Sequence, residues 1–174
     1  MPSLVGSEMC IRDRYMVEPF VRDKDAIQIV PLIIKYKNLL YENNITLTDT
    51  LNDIYRAIGH YRNVNLSPVF EGREGQLKIE DIIDSFRKES IHQICGLDVK
   101  AIEDYQLGTI EYMDSGEKEP TYLPNSNLIR LIFDEGFIAI RPSGTEPKIK
   151  IYFSLNVEDI ESVIKDFQKT YIEY

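Results

Sequence analysis

Phe137-Ile138-Ala139-Ile140-Arg141-Pro142-Ser143-Gly144-Thr145-Glu146-Pro147-Lys148-Ile149-Lys150-Ile151-Tyr152-Phe153 holds an apolar run, a cluster of turn formers, and a run that alternates basic and apolar residues. The outer runs read as strands, so Arg141 to Pro147 reads as the turn between them, neither helix nor strand itself. Its chemistry suits an anion. Arg141 offers a planar fork of donors, the hydroxyls of Ser143 and Thr145 can each donate, and Gly144 lacks a Cβ that would keep a ligand from the backbone amides. Pro142 and Pro147 stiffen both shoulders and so reduce the entropy lost on ordering the turn around a ligand. The same residue types are ordinary turn formers, so composition alone supports either a phosphate site or a surface turn beside an arginine. A carboxylate facing a phosphate is unfavourable, so Glu146 is expected to point away and pair with Lys148 or Lys150.

C-terminal of the turn, Lys148 to Leu155 continues as a strand. A closing helix follows, with Asn156 as N-cap, Glu158 and Asp159 in the first turn, and Ile160, Val163, Ile164, Phe167 and Tyr171 as its buried stripe. N-terminal of the turn, Leu128 to Phe133 pairs with Phe137 to Ile140 through the short connection Asp134-Glu135-Gly136. Further back, Asn65 to Phe70 reads as a strand with Pro68 near its end, Ile79, Ile82, Ile83 and Phe86 mark an amphipathic helix, and Val99 to Tyr105 is a second strand. Asp114-Ser115-Gly116-Glu117-Lys118 lies in a polar loop after it. The order β-α-β-β-β-β-α predicts an α+β fold: a small, mainly antiparallel sheet with helices packed on one face.

Ahead of this region two helices are expected, read as the tail of a truncated α/β domain. Ile27, Val30, Ile33, Ile34 and Leu40 keep helical spacing up to Asn43-Asn44, with Pro31 expected to end or kink the helix early. Leu47, Leu51, Ile54, Tyr55 and Ile58 form a second amphipathic set stopped by Gly59. Neither has a sheet of its own to cover. Residues 1–14 have no hydrophobic period and no continuous apolar core of a secretion signal. They resemble translated sequencing-adapter read-through, which makes Cys10 a non-native residue. The expected organisation is therefore a non-native segment at 1–14, a helical tail at 15–60 and a phosphate-binding domain at 61–174.

The ten residues Arg-Pro-Ser-Gly-Thr-Glu-Pro-Lys-Ile-Lys, Arg141 to Lys150, resemble the phosphate-binding loop in the C-terminal domain of the α-D-phosphohexomutases, the phosphoglucomutase and phosphomannomutase family. The resemblance runs back through the strands and helices of that domain to Val21-Arg22-Asp23-Lys24-Asp25-Ala26, which is similar to a segment near the end of the family's third domain, and covers roughly residues 17–174. It implies an intramolecular phosphotransferase that interconverts hexose 1-phosphate and hexose 6-phosphate through a bisphosphorylated sugar, with Mg2+ as cofactor and hexose bisphosphate as activator and intermediate. It also implies that Arg141, Ser143, Gly144 and Thr145 hold the substrate phosphate. Lys24 has two readings, a sugar contact or a solvated charge before a helix. No counterpart is found of the family's active-site serine loop, its Asp-Gly-Asp-x-Asp-Arg magnesium loop or its Gly-Glu-Glu-Ser sugar loop. The expectation is thus no catalytic residue and no metal ligand in this chain, no mutase activity alone, and the N-terminal domains of the same enzyme as partners beside a phosphorylated hexose. The rival reading is a non-catalytic module that binds a phosphosugar or phosphopeptide.

A net charge of −9 repels nucleic acid and anionic membrane surfaces, so a phosphorylated ligand needs a local cationic cluster such as Arg141, Lys148 and Lys150. The two cysteines, Cys10 and Cys95, form no disulfide framework or metal spacing and fit a reducing, cytoplasmic compartment. Cys95 is expected to be a small buried apolar group, and His60 and His92 partly exposed structural residues.

Overall fold

Apolar residues at every second position of Ile149–Leu155 give that strand one face made only of hydrocarbon, and Ile149, Ile151, Phe153 and Leu155 are all at most 1% exposed. The computed structural model of the protein describes residues 26–88, 91–144 and 146–173; residues 1–25, among them Lys24, and Thr145 lie outside the described residues. The chain divides at Gly59 into two units.

In the first unit, α1 (Ala26–Glu42) and α2 (Leu47–Ile58) are joined by a turn in which Asn44 takes the left-handed conformation, φ 56°, and the Ile45 amide bonds back to the Leu40 carbonyl. Thr46 and Asp49 cap α2 reciprocally: the Asp49 amide donates to Thr46 Oγ1 at 3.0 Å, and the Thr46 amide donates to the Asp49 carboxylate at 2.9 Å. Pro31 does not end α1, which removes the first of the two outcomes expected of it, an end or a kink. It is close enough to the N-terminus that its missing N–H removes one bond from the early turns while the rest of the ladder continues. The apolar stripes are exposed, with Val30, Ile34, Leu39, Leu51 and Ile54 each more than 40% accessible, and no residue of α2 is buried.

The second unit is an antiparallel sheet with helices on one face. Its strands are β1 (Arg62–Leu66), β4 (Ala101–Asp104), β5 (Thr109–Tyr112), β6 (Lys118–Pro120), β7 (Ile129–Phe133), β8 (Gly136–Pro142) and β9 (Ile149–Leu155), in the order β1-β9-β8-β7-β4-β5-β6. A separate hairpin, β2 (Gln93–Ile94) with β3 (Leu97–Asp98), turns at Cys95 and Gly96, both at positive φ. The inner face is set by register. Val64 and Ile138 flank Phe153, Leu66 and Ile140 flank Ile151, and Leu131 lies across from Ile138. Against this face α3 (Gly72–Lys88) packs Ile79, Ile82, Ile83 and Phe86, and α4 (Ile160–Phe167) packs Ile160 and Phe167. The rings of Phe86 and Phe167 stack at 5.9 Å between centroids, and Phe153 meets Phe167 edge-on at 5.3 Å.

Several expectations are corrected. The first strand begins at Arg62 and ends at Leu66; Pro68, which has no N–H to give, interrupts it, and a single bridge from Val69 to Lys148 resumes the pairing. The hairpin β2–β3 and the strands β5 and β6 were not expected. They are short, and β6 forms the sheet edge with β5 next to it, where no buried stripe marks them. The cap of α4 is Asp159, whose carboxylate accepts the Ser162 amide at 3.0 Å, while the Asn156 amide donates to the Glu135 carbonyl. After Phe167 the helix widens into a π turn, Gln168–Ile172, so that Ile172 is buried beside the expected Tyr171. Gly136, at φ 137°, is needed at the entry to β8: a Cβ there would lie 2.1 Å from the Ser154 carbonyl oxygen.

Candidate functional site

The turn between β8 and β9 is tighter than its sequence suggests. Arg141 and Pro142 are the last two residues of β8, paired with Lys150 and Ile149, which corrects the expectation that all of Arg141 to Pro147 lies outside strand. The Ser143 amide donates to the Lys148 carbonyl at 2.8 Å, closing the base of the loop. The backbone after β1 braces the far shoulder, with the Phe70 amide donating to the Pro147 carbonyl at 2.8 Å and the Ile149 amide donating to the Pro68 carbonyl at 3.3 Å.

Alternation along β8 sets the side-chain directions. Ile138 and Ile140 are buried under the helices, so Arg141 stands on the opposite, open face and is exposed, directly across from Lys150. Among the described residues Arg141 makes no hydrogen bond or ion pair. Lys148 does: its Nζ pairs with Glu146 Oε2 at 2.5 Å. That hydrogen bond, with the charges of Lys148 and Lys150, holds the Glu146 carboxyl below the usual glutamate range. Glu146 is thus paired as expected, and Lys148 is drawn out of the free cationic cluster. A Cβ on Gly144 would meet nothing within 4 Å, and its φ is not positive, so neither strain nor crowding within this chain calls for glycine there.

A cleft of about 620 Å³ lies on the helix side of the loop, with Ser143, Gly144 and Pro147 in one wall and Gln76, Ile83 and Arg87 of α3 in the other. Arg141 is not part of it. Glu80, Asp84 and Glu146 also line the cleft, and Arg87 is already bound to Asp104, so its charge balance is unfavourable to phosphate. The free cationic charge lies on the open sheet face with Arg141 and Lys150. The structure therefore brings Ser143 and Gly144 together at the rim of the loop, sets Arg141 at its base, and does not describe Thr145 or Lys24.

Sequence reasoning missed one polar centre. Asp104, 6% exposed, accepts from Arg87 Nε at 2.9 Å and from the Gln106 and Leu107 amides, while Arg87 Nη2 donates to Asn127 Oδ1 at 2.6 Å. Its signal was an acidic residue at a strand end and an arginine one position after Phe86 in the helix stripe. Cys95 is half-buried, and burial followed by the negative charge of Asp166 pushes its thiol up to about 11, which leaves it inert at neutral pH. His60 and His92 are exposed. Among the described residues no group of His, Cys, Asp and Glu converges to hold a metal, and no helix is long and apolar enough to cross a membrane.

A hairpin loop of this composition, on an antiparallel sheet with two helices on one face, defines a class. Residues 98–166 match the family described as phosphoglucomutase/phosphomannomutase, C-terminal domain. Residues 98–166 thus carry the C-terminal domain of the phosphohexomutases. Among named proteins, it is similar to the phosphoglucomutase of Staphylococcus saprophyticus, 54% identical over 158 residues that make up 91% of this chain and 29% of that protein. The phosphoglucomutases of Staphylococcus haemolyticus and Staphylococcus aureus strain MRSA252 are 51% and 50% identical over 87% and 86% of this chain, and 28% and 27% of their own lengths. The chain thus spans less than a third of these curated relatives.

Proposed function

We propose that the loop from Arg141 to Pro147 holds the non-reacting phosphate of a hexose phosphate in a phosphoglucomutase or phosphomannomutase, and that residues 61–174 are the phosphate-binding domain of that enzyme. The observation that carries the reading is Arg141 itself, a guanidinium without a partner among the described residues, at the base of a loop closed by backbone bonds. A reaction that exchanges phosphate between two ends of a sugar needs a station for the end that is not reacting. That station must recognise phosphate geometry and ignore the carbon that bears it. A planar guanidinium, the Ser143 hydroxyl, the open Gly144 backbone and the Thr145 hydroxyl all address oxygens on phosphorus, which suits that task. Binding energy gained there can position the reacting end.

In this reading α1 and α2 close a preceding α/β domain, which accounts for their exposed apolar stripes. The serine that carries the transferred phosphate and the magnesium ligands belong to parts of the enzyme beyond these residues, Lys24 is a candidate sugar contact, and this chain alone does not turn over. The described residues offer no fit for magnesium, so no step is assigned to it here. A cytoplasmic enzyme of carbohydrate metabolism is the setting. The free-standing binding module is not favoured, since the relatives that match nearly the whole chain are phosphoglucomutases.

Titration of the 15N-labelled chain with glucose 1-phosphate and with glucose 6-phosphate tests the proposal. Saturable shifts at the Ser143 and Gly144 amides, similar for both sugars, support it. Shifts with neither sugar sink it.

A further inference from the structure

We propose that Gly75, a buried glycine in the first turns of α3, is a positioning residue for the Ser143–Pro147 loop, acting through the backbone of Phe70; its effect on ligand affinity rests on the phosphate reading above. Glycine is a poor choice inside a helix, where alanine loses less conformational entropy, so its presence calls for a local cause. The cause is close approach. A Cβ on Gly75 would lie 2.3 Å from the Phe70 carbonyl oxygen and 2.4 Å from its carbonyl carbon. Those are backbone atoms, and no rotamer change can move them aside.

The contact leads to the loop in two steps. The Phe70 amide is the donor that holds the Pro147 carbonyl at 2.8 Å, and Val69 beside it bridges Lys148, whose carbonyl accepts the Ser143 amide. On the other side, α3 cannot yield easily, because Ile79, Ile82, Ile83 and Phe86 seat it in the core. A side chain at position 75 must therefore displace Phe70, and with it the shoulder of the loop. The direct approach of helix to backbone fixes the loop without any contact between Gly75 and a ligand.

The test uses the full chain, labelled with 15N, and inorganic phosphate as probe. Without ligand, Gly75→Ala should shift the Ser143 and Gly144 amide signals and speed hydrogen exchange at the Phe70 amide, while signals of β7 and α4 stay in place. With phosphate, its dissociation constant should rise about tenfold to a hundredfold, the scale of losing one charge-assisted hydrogen bond. A role confined to stability would lower the melting temperature and leave both loop signals and affinity as they were, and that result overturns the proposal. If the unaltered chain binds no phosphate, the phosphate reading fails, and the unliganded loop signals still decide for or against positioning. Should Gly75→Ala not fold, Phe70→Pro, which deletes the amide donor, is compared with Phe70→Ala, which keeps it. Loop displacement in the proline variant only supports the proposal, and equal loop signals in the two overturn it.

Discussion

Arg141 and Lys150 stand directly opposite one another on β8 and β9, two cations on the open face of the same antiparallel pair. Like charges in that relation oppose folding, by roughly 0.2–1 kcal/mol for an ordinary cross-strand pair. The nearest carboxylate on the loop, Glu146, is already held by Lys148. Lys150→Gln is therefore predicted to stabilise the unliganded chain by about that amount in urea unfolding. The same substitution should reduce the stabilisation produced by added phosphate. A variant less stable than the parent would show that the pair is compensated by something else.

The buried ion pair predicts the opposite sign. Arg87 and Asp104 have side chains only 14% and 8% exposed, and Asp104 keeps two backbone donors if the arginine is removed. Arg87→Ala leaves a buried carboxylate without its counter-charge and also frees Asn127 Oδ1. The predicted loss is about 3–5 kcal/mol in urea unfolding, the usual result of removing one partner of such a pair. Replacing both partners, Arg87→Met with Asp104→Leu, should cost less than Arg87→Ala alone, although the Gln106 and Leu107 amides then lose their acceptor.

Glu146 gives a prediction in pH. Its carboxyl titrates below the usual glutamate range because Lys148 donates to it, so in the folded chain it stays charged to lower pH than in the unfolded chain. A depressed carboxylate contributes stability that is present above its unfolded value, about 4.3, and is lost as pH falls through the folded one. NMR titration should place the Glu146 midpoint below that value, and Lys148→Met should bring it back up. Glu146→Gln, which frees the ammonium of Lys148 beside the loop, should tighten phosphate binding by a factor of about two to five, the scale of one exposed charge. Weaker binding would mean that the carboxylate holds the loop in shape.

What could be read in advance follows from how much apolar surface each element buries. β7, β8, β9 and α3 carry periodic stripes because they form the core, and Ile129, Leu131, Ile138 and Ile151 are fully buried, so their places were legible. β6 is the edge strand and β5 lies between it and β4; the pattern of β6 is exposed throughout and that of β5 only half-buried, so alternation had nothing to mark. The π turn at Gln168 was equally invisible, since one extra residue per turn only moves the stripe from Tyr171 toward Ile172. At the loop, residue types and the pairing of Glu146 with Lys148 or Lys150 could be anticipated, and it is Lys148 that pairs. Three relations could not: Arg141 on the sheet face away from the cleft, the brace from Phe70, and the approach of Gly75. The first depends on register, the second on a backbone bond between segments far apart in sequence, and the third on how the chain between Phe70 and Gly75 turns into the helix.

Arg141 carries the final prediction. Its guanidinium is exposed and without a partner among the described residues, so Arg141→Ala should leave the melting temperature of the chain nearly unchanged. Affinity for phosphate should fall about tenfold to a hundredfold or somewhat more, corresponding to the loss of a charge-assisted interaction of roughly 1.5–3 kcal/mol. The loss should be similar for glucose 1-phosphate and glucose 6-phosphate, since the group recognised is the phosphate. Arg141→Lys should recover part of it, because an ammonium keeps the charge but cannot present two parallel donors. In an enzyme of the length of the staphylococcal relatives, the same substitution should lower kcat/KM by a comparable factor for both sugar phosphates. If Arg141→Ala and Ser143→Ala both bind phosphate as the parent chain does, the loop is an ordinary turn and the cationic face has some other purpose.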